Sequence, residues 1–241
     1  MDPLTAVAAS GLRARMESLE LLANNVANAS TGGYKADREF YGLYRAPEAD
    51  SDSTMPLIER PWVDHSQGTL HGTGNPLDVA LSGRGFFSVE GPRGPLYTRN
   101  GNFRLAGDGK LVTSEGYAVR GGAGAPVTLQ SGRTIDIAAD GTIRQDGAVV
   151  GKLELADFTS PDGIVKHGNN YFRATDPSSR PGPPPDATVE QGKLEASNTG
   201  SAESAVRLVN VMRQFEMLQK AVTLGVEMNR AAVEQVAKVG N

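Results

Sequence analysis

The chain has 241 residues, enough for one sizeable core or two modest ones. Its 24 Lys and Arg against 28 Asp and Glu leave a net charge of −4, which excludes a broad basic footprint for nucleic acid and a polybasic membrane patch. No cysteine is present, so disulfides, thiolate catalysis, iron–sulfur clusters and cysteine zinc sites are excluded.

Glycine and proline divide the chain. Residues 68–196 hold 22 of the 29 glycines, whereas 4–46 and 186–241 hold no proline. A turn-punctuated middle is therefore flanked by two ends that can form long helices. The opening Met1-Asp2-Pro3 carries no basic residue before Arg13 and does not read as a secretory signal. No run of about 18 apolar residues occurs that would span a membrane.

The first predicted element is a helix from about Leu4 to Asn28. Leu4, Ala8, Leu12, Leu19, Leu22 and Val26 recur at three- and four-residue steps along it, one helical stripe. Asp2 is placed to cap it and Pro3 to open it. The run Asn28-Ala29-Ser30-Thr31-Gly32-Gly33 is a strong stop. Residues 46–61, rich in Pro, Asp and Ser, read as loop.

The middle switches to a period of two. Short alternating or β-branched runs fall at 77–81, 85–89, 110–113, 118–120, 134–137, 142–144, 148–155 and 170–174. Asn100-Gly101, Asp108-Gly109, Asp140-Gly141, Asp146-Gly147 and Asp162-Gly163 separate them, and such pairs favour the positive φ of tight hairpins. The expectation is an all-β domain, barrel-like or sandwich-like. Residues 176–186 read as an exposed, partly polyproline loop.

The last element is a long helix from Ser201 as cap, with Glu203 in its first turn. Read in heptads, its a/d positions are Ala205, Leu208, Met212, Phe215, Gln219, Val222, Val226, Asn229, Val233 and Val236. Most are apolar, the pattern of a coiled-coil seam. A second apolar set, Val211, Leu218, Ala221, Met228, Ala232 and Val239, lies off it. A helix apolar on two sides needs partners on two sides. Two arrangements remain open: a hairpin within the chain, or packing of both helices against other chains.

The expected fold class is thus mixed α and all-β. Long N- and C-terminal helices pair as a coiled coil, and a central all-β domain lies between. The division is 1–33 as an N-terminal assembly helix, 34–67 as an extended connector, 68–196 as the β domain and 197–241 as a C-terminal assembly helix. The expected assembly interface comprises Leu4, Leu12, Leu19, Leu22, Val26, Leu208, Met212, Phe215, Val222, Val226, Val233 and Val236.

Chemistry is scarce. His65 and His71 are six apart around a Gly-Thr turn, not a helix-face metal pair. Gly83-Arg84-Gly85 and Gly121-Gly122-Ala123-Gly124 precede no helix and so lack the context of a phosphate loop. No Gly-x-Ser-x-Gly elbow occurs. Asp140, Asp146 and Asp162 each precede glycine and read as turn formers. Arg99-Asn100-Gly101 reads as a hairpin tip, and Trp62 as buried packing beside Pro61. The expectation is no catalytic residue, no metal and no cofactor.

Four ordered blocks carry a resemblance. Ala23-Asn24-Asn25-Val26-Ala27-Asn28-Ala29-Ser30-Thr31-Gly32-Gly33-Tyr34-Lys35 resembles the N-terminal signature of bacterial flagellar rod and hook proteins. The stretch from Thr73 through Leu77, Asp78, Gly85 and Phe86 to Phe87 is similar to the family's core strand motif. Tyr97-Thr98-Arg99-Asn100-Gly101-Asn102-Phe103 is similar to its next block. Gln191-Gly192-Lys193-Leu194-Glu195-Ala196-Ser197-Asn198 resembles its C-terminal block. Within the family, the wording around Leu77-Asp78-Val79 and the short length look most like proximal-rod subunits, with a distal-rod or short hook-like subunit as the alternative.

The resemblance implies a structural subunit that polymerises helically through its terminal helices into a periplasmic drive shaft for motility. It implies export by the flagellar type III apparatus without a cleaved signal peptide. Its partners would be copies of itself, other rod proteins and the export apparatus, with no nucleic acid and no small-molecule substrate. A reading of another class is a peptidoglycan- or carbohydrate-binding module on a helical stalk.

Overall fold

The computed structural model describes residues 3–39, 41–45, 54–58, 61–160, 163–168, 170–175 and 181–239. Side chains of 3–8, 41–45, 54–58, 123, 232–233 and 236–239 lie outside that description. The chain divides into two units. One comprises 1–27, 37–64 and 200–241, the other 28–36 and 65–199.

The first unit is built on two helices, α1 (Pro3–Ala27) and α2 (Ser201–Val239). α1 stops one residue before the predicted stop signal. Pro3 is its first helical residue, and the expected cap Asp2 lies outside the described residues. The carbonyl of Gly200 accepts from Ser204 N at 3.0 Å. Gly200 therefore occupies the cap position and Ser201 is the first helical residue, so the helix begins one residue earlier than expected. α1 packs against α2 and against the strand Thr54–Ile58.

On α1 the buried positions are Gly11, Ala14, Ser18, Leu22 and Asn25. On α2 Ser204 and Val211 are buried, and Leu208, Phe215, Leu218, Val222 and Gly225 are half-buried. Both runs step by three and four residues, so each presents one stripe. Most of the α1 stripe is small, which lets the helix backbones approach. A Cβ on Gly11 would lie 3.7 Å from Leu218 Cδ1.

Tyr41–Arg45 and Thr54–Ile58 form an antiparallel hairpin in which Leu43 faces Pro56. The loop expected over 46–61 thus contains a strand, while 46–53, 59 and 60 lie outside the described residues. Pro56 is tolerated because a two-stranded sheet leaves each strand an unpaired edge. Asp37–Arg38 pairs with Trp62–Val63. Trp62 is 51% exposed, against the buried packing expected beside Pro61. It sits in a two-residue pairing with Arg38 opposite.

The second unit is all β, in open antiparallel sheets. The largest has the order Leu155–Ala156, Phe86–Gly91, Gly94–Thr98, Tyr171–Ala174, Ile164–His167. A second contains Ile135–Ile137, Thr142–Gln145 and Ala148–Lys152. Thr188–Gln191 pairs with Val79–Ser82, Lys193–Glu195 with Leu70–Gly72, and Arg104–Leu105 with Leu111–Val112. The single run expected over 148–155 is split. Ala148–Lys152 belongs to the three-stranded sheet and Leu155–Ala156 to the five-stranded one. Asp146 and Gly147 both have positive φ, 49° and 84°. They form the two-residue turn that closes Gln145 onto Ala148.

One core collects side chains from most of these strands, including Val79, Leu81, Phe87, Val89, Leu96, Leu111, Ile143 and Val189. Aromatics are few, and Phe87 meets Phe103 edge-on at 5.3 Å. Each fully buried Leu or Phe contributes about 1.5–3 kcal/mol by area.

Candidate functional site

The second unit contains a buried clasp of charged and amide side chains, assembled from chain segments far apart in sequence. It begins at Gly33, whose φ is +68°. A Cβ there would stand 2.4 Å from both Arg99 C and Asn100 N, so only glycine fits. Gly33 N donates to Glu195 O at 2.7 Å. This close approach carries Lys35 inward.

Lys35 and Glu195 side chains are fully buried, and Lys35 Nζ lies 2.6 Å from Glu195 Oε1. Lys35 Nζ also donates to Ser66 O at 2.6 Å, and Gly68 N donates to the same Glu195 oxygen at 2.8 Å. Arg99 Nη1 donates to Glu195 Oε2 at 3.3 Å and Nη2 to Gly83 O at 2.7 Å. Arg99 Cζ lies 5.5 Å from the Phe86 ring centre. Burial pushes the Arg99 guanidinium below its usual value, and the charge and hydrogen bond of Glu195 oppose that shift. Charges taken out of water are held only when paired and hydrogen-bonded, and removing one partner costs about 3–5 kcal/mol.

Asn198 closes the clasp with its amide. Its Oδ1 accepts from Ala36 N at 2.7 Å, and its Nδ2 donates to Ser66 O at 3.2 Å. Gln191 does the same on the other side: Nε2 donates to Pro76 O and Ile135 O, and Oε1 accepts from Ile137 N. Gly192, with φ +71°, donates to Asp78 O at 2.8 Å. The Asp78 carboxylate accepts from Asn102 Nδ2 at 2.9 Å. Lys166 Nζ lies 4.4 Å from the Tyr34 ring centre.

The structure therefore joins members of all four sequence blocks: Gly33, Tyr34 and Lys35; Asp78 and Phe86; Arg99 and Gly101; Gln191, Gly192, Glu195 and Asn198. Gly85, with φ +116°, is instead closed in by Pro184 and Ala156 O. Gly101 is pressed so tightly that a Cβ would overlap Val79 O. Arg99-Asn100-Gly101 is thus not the hairpin tip expected. Arg99 is 3% exposed, and the tight hairpin lies upstream, where Gly91 faces Gly94. Phe87 belongs to the core, Leu77 packs against it, and Leu194 is half-buried. Ser197 Oγ accepts from Thr199 N. In the first unit Asn25 pairs with Asp37 through both amide atoms, at 2.8 and 3.0 Å, while Asn24 is exposed. Asn28 Oδ1 accepts from Thr31 Oγ1 at 3.3 Å.

Of the expected assembly residues, Leu22 is buried. Leu12, Leu19, Val26, Leu208, Phe215 and Val222 are half-buried in their own unit, and Met212 and Val226 are 47% and 53% exposed. Leu4, Val233 and Val236 have side chains outside the described residues. Sequence reading missed Gln67, whose amide donates to Leu81 O and accepts from Gly83 N. The Gln67-Gly68 pair after a β-branched, polar stretch was its only local signal. Among the described residues no group of three or more His, Asp or Glu is placed to hold a metal, and no helix is long and apolar enough to cross a membrane.

Comparisons with known proteins cover both ends and the middle. Residues 6–35 match the family described as flagella basal body rod protein, 80–149 the flagellar hook protein FlgE/F/G D1 domain, and 190–235 the flagellar basal body rod FlgEFG protein C-terminal. The chain is 31% identical over 245 residues to the flagellar basal-body rod protein FlgF of Caulobacter vibrioides, covering 99% of this chain and 100% of that one. It is 35% identical over 249 residues to the flagellar basal-body rod protein FlgG of Agrobacterium fabrum, covering 92% and 95%. It is 32% identical over 214 residues to the FlgF of Rhizobium meliloti, covering 87% and 88%.

Proposed function

Because the chain belongs to the flagellar basal-body rod family, we propose that it is an FlgF-like structural subunit of the proximal rod. It reaches the periplasm through the flagellar export apparatus. There it polymerises with copies of itself and with other rod proteins through its two terminal helices, which pair as a coiled coil. The stretches 1–33 and 197–241 act as assembly elements, 34–67 as connector and 68–196 as the β domain. Contacts that repeat head to tail without closing build a shaft instead of a ring.

One observation carries this reading: α2 is apolar on a face that its own unit leaves open. Val206, Val209, Met217, Leu224 and Met228 are 47–72% exposed. At about 100° per residue they fall on one stripe, roughly opposite the seam that meets α1. Single exposed apolar residues are ordinary, but a stripe along a helix marks an interaction surface. The clasp supplies the complementary part, because its hydrogen bonds join the segment after α1 in sequence to the segment before α2.

The test is the double variant Met217→Glu/Leu224→Glu. Both side chains point away from the α1 seam, so thermal unfolding of the isolated chain stays within about 0.5 kcal/mol of the parent. Swimming in soft agar and rod formation, seen by electron microscopy of basal bodies, are lost. Full motility with complete rods would sink the proposal.

A further inference from the structure

The second unit contains a cavity of about 430 Å³, lined by His65, Arg84, Phe86, Arg99, Phe158 and Ile164 with Asp157, Thr159 and Ser160 at its edge. That volume lies in the range of roughly 300–1,000 Å³ typical of specific binding sites. Its floor is apolar: Phe86 packs against His65 at 5.8 Å and against Phe158 at 6.3 Å between ring centres. Its wall holds a buried cation with a spare donor. The Arg99 side chain is 4% exposed. Its two terminal nitrogens are engaged by Glu195, Leu81 O and Gly83 O, while its Nε–H has no acceptor among the described residues. A buried donor without an acceptor is rare and costly, more so on a charged group.

Charged groups gather around the cavity. Lys35 and Arg99 both pair with the carboxylate of Glu195. On the rim, Arg84 Nε lies 3.9 Å from Asp157 Oδ2, and the Arg84 side chain is 73% exposed. Asp157 is also close enough to favour the charged form of Arg99. Two guanidinium groups and one carboxylate thus face the space. Guanidinium groups recognise carboxylates by paired, charge-assisted hydrogen bonds.

The geometry points to this cavity as a socket for a carboxylate on an apolar stem, presented by a neighbouring subunit of the rod. The carboxylate sits between Arg84 and the free Nε–H of Arg99, and the stem lies on Phe86, Phe158 and Ile164. Only the source of the carboxylate rests on the reading of the chain as a rod subunit. The chemistry of the socket stands on the cavity.

Two measurements separate these parts. In the first, the isolated full-length chain is titrated with phenylacetate, and with phenylacetamide as the neutral control, while NMR follows the Arg99 Nε–Hε signal and the Phe86 and Phe158 amides. Saturable shifts with phenylacetate are expected. At least tenfold weaker binding is expected for phenylacetamide, and a several-fold loss for Arg84→Gln, which leaves the clasp hydrogen bonds intact. No shift with phenylacetate, or equal binding of the amide, overturns the socket. In the second, Thr159→Cys supplies the only thiol in a chain without cysteine. Its reaction with maleimide is compared in the free chain and in purified basal bodies. At least tenfold protection in basal bodies supports a seated neighbour. Phenylacetate binding without protection assigns the socket to a free organic acid and overturns the neighbour. Absence of the chain from basal bodies overturns the rod reading itself, and phenylacetate binding still reports on the socket.

Discussion

Lys35, Glu195 and Arg99 show how a few residues decide a structure through their mutual dependence. Glu195 Oε1 accepts from Lys35 and Gly68 and Oε2 from Arg99, so no other acceptor can stand in for it. Glu195→Gln leaves the buried cations Lys35 and Arg99 without the carboxylate they share and is expected to lower unfolding free energy by about 3–5 kcal/mol, read by urea denaturation. Lys35→Met leaves Glu195 still paired with Arg99 and is expected to cost less. The double variant Lys35→Met/Glu195→Leu leaves Arg99 alone and recovers only part of the Glu195→Gln loss. Gly33→Ala is expected to be comparably damaging, because positive φ and the Arg99 backbone both refuse a Cβ. A different residue contributes to the acid dependence of stability. Asp140 accepts from the backbone and hydroxyl of Thr142 and from Lys152 at 3.2 Å, which hold its carboxyl near about 2 instead of 3.8. The unfolded chain binds that proton first, so stability rises with pH between these values and is lost as pH falls through them. Asp140→Asn is expected to flatten the denaturation midpoint between pH 4 and pH 2 by that contribution.

Elements obey packing more than pattern. The α2 heptads legible in sequence place Leu208, Phe215 and Val222 on the face that meets α1, and the structure half-buries all three. The alternate positions shift by one residue: Val211 and Leu218 turn inward, while Met212 and Val226 stay out. The reason lies on α1, where Gly11, Ala14 and Ser18 give a narrow, smooth stripe. Glycine at position 11 costs helix propensity without filling a tight contact. Gly11→Ala is therefore expected to raise thermal stability by about 0.5–1 kcal/mol, since the added methyl meets Leu218 at an ordinary distance. Gly11→Leu is expected to force the helices apart and cost about 1–3 kcal/mol. The two together, measured by thermal unfolding, separate propensity from packing at one position.

At the scale of the whole molecule, the chain passes back and forth between its two units. The second unit takes in 28–36 as well as 65–199, because Gly33 through Ala36 are bonded to Glu195 and Asn198. A fragment of 28–199 keeps Lys35 with Glu195. A fragment of 68–196 lacks Lys35, Ser66 and Asn198 and leaves Glu195 and Arg99 without part of their clasp. The longer fragment is expected to unfold cooperatively. The shorter one is expected to be less stable by about 3–5 kcal/mol, measured by urea denaturation of both. Equal stability would mean that the clasp contributes nothing to this unit.

Helix at both ends, strand between, and turns at Asp108-Gly109, Asp140-Gly141 and Asp146-Gly147 were legible in the amino-acid sequence, because periodicity and positive φ are local demands. Short strands such as Leu70–Gly72 and Lys193–Glu195 were not, since two or three residues carry no period and exist only by pairing with each other. The four blocks that resemble the rod proteins were visible as words, but not their meeting. Lys35 and Glu195 are 160 residues apart, and no local rule says that a lysine will be buried. Tertiary structure alone decided that, and with it which side of α2 was left uncovered, because both depend on what the rest of the chain brings alongside.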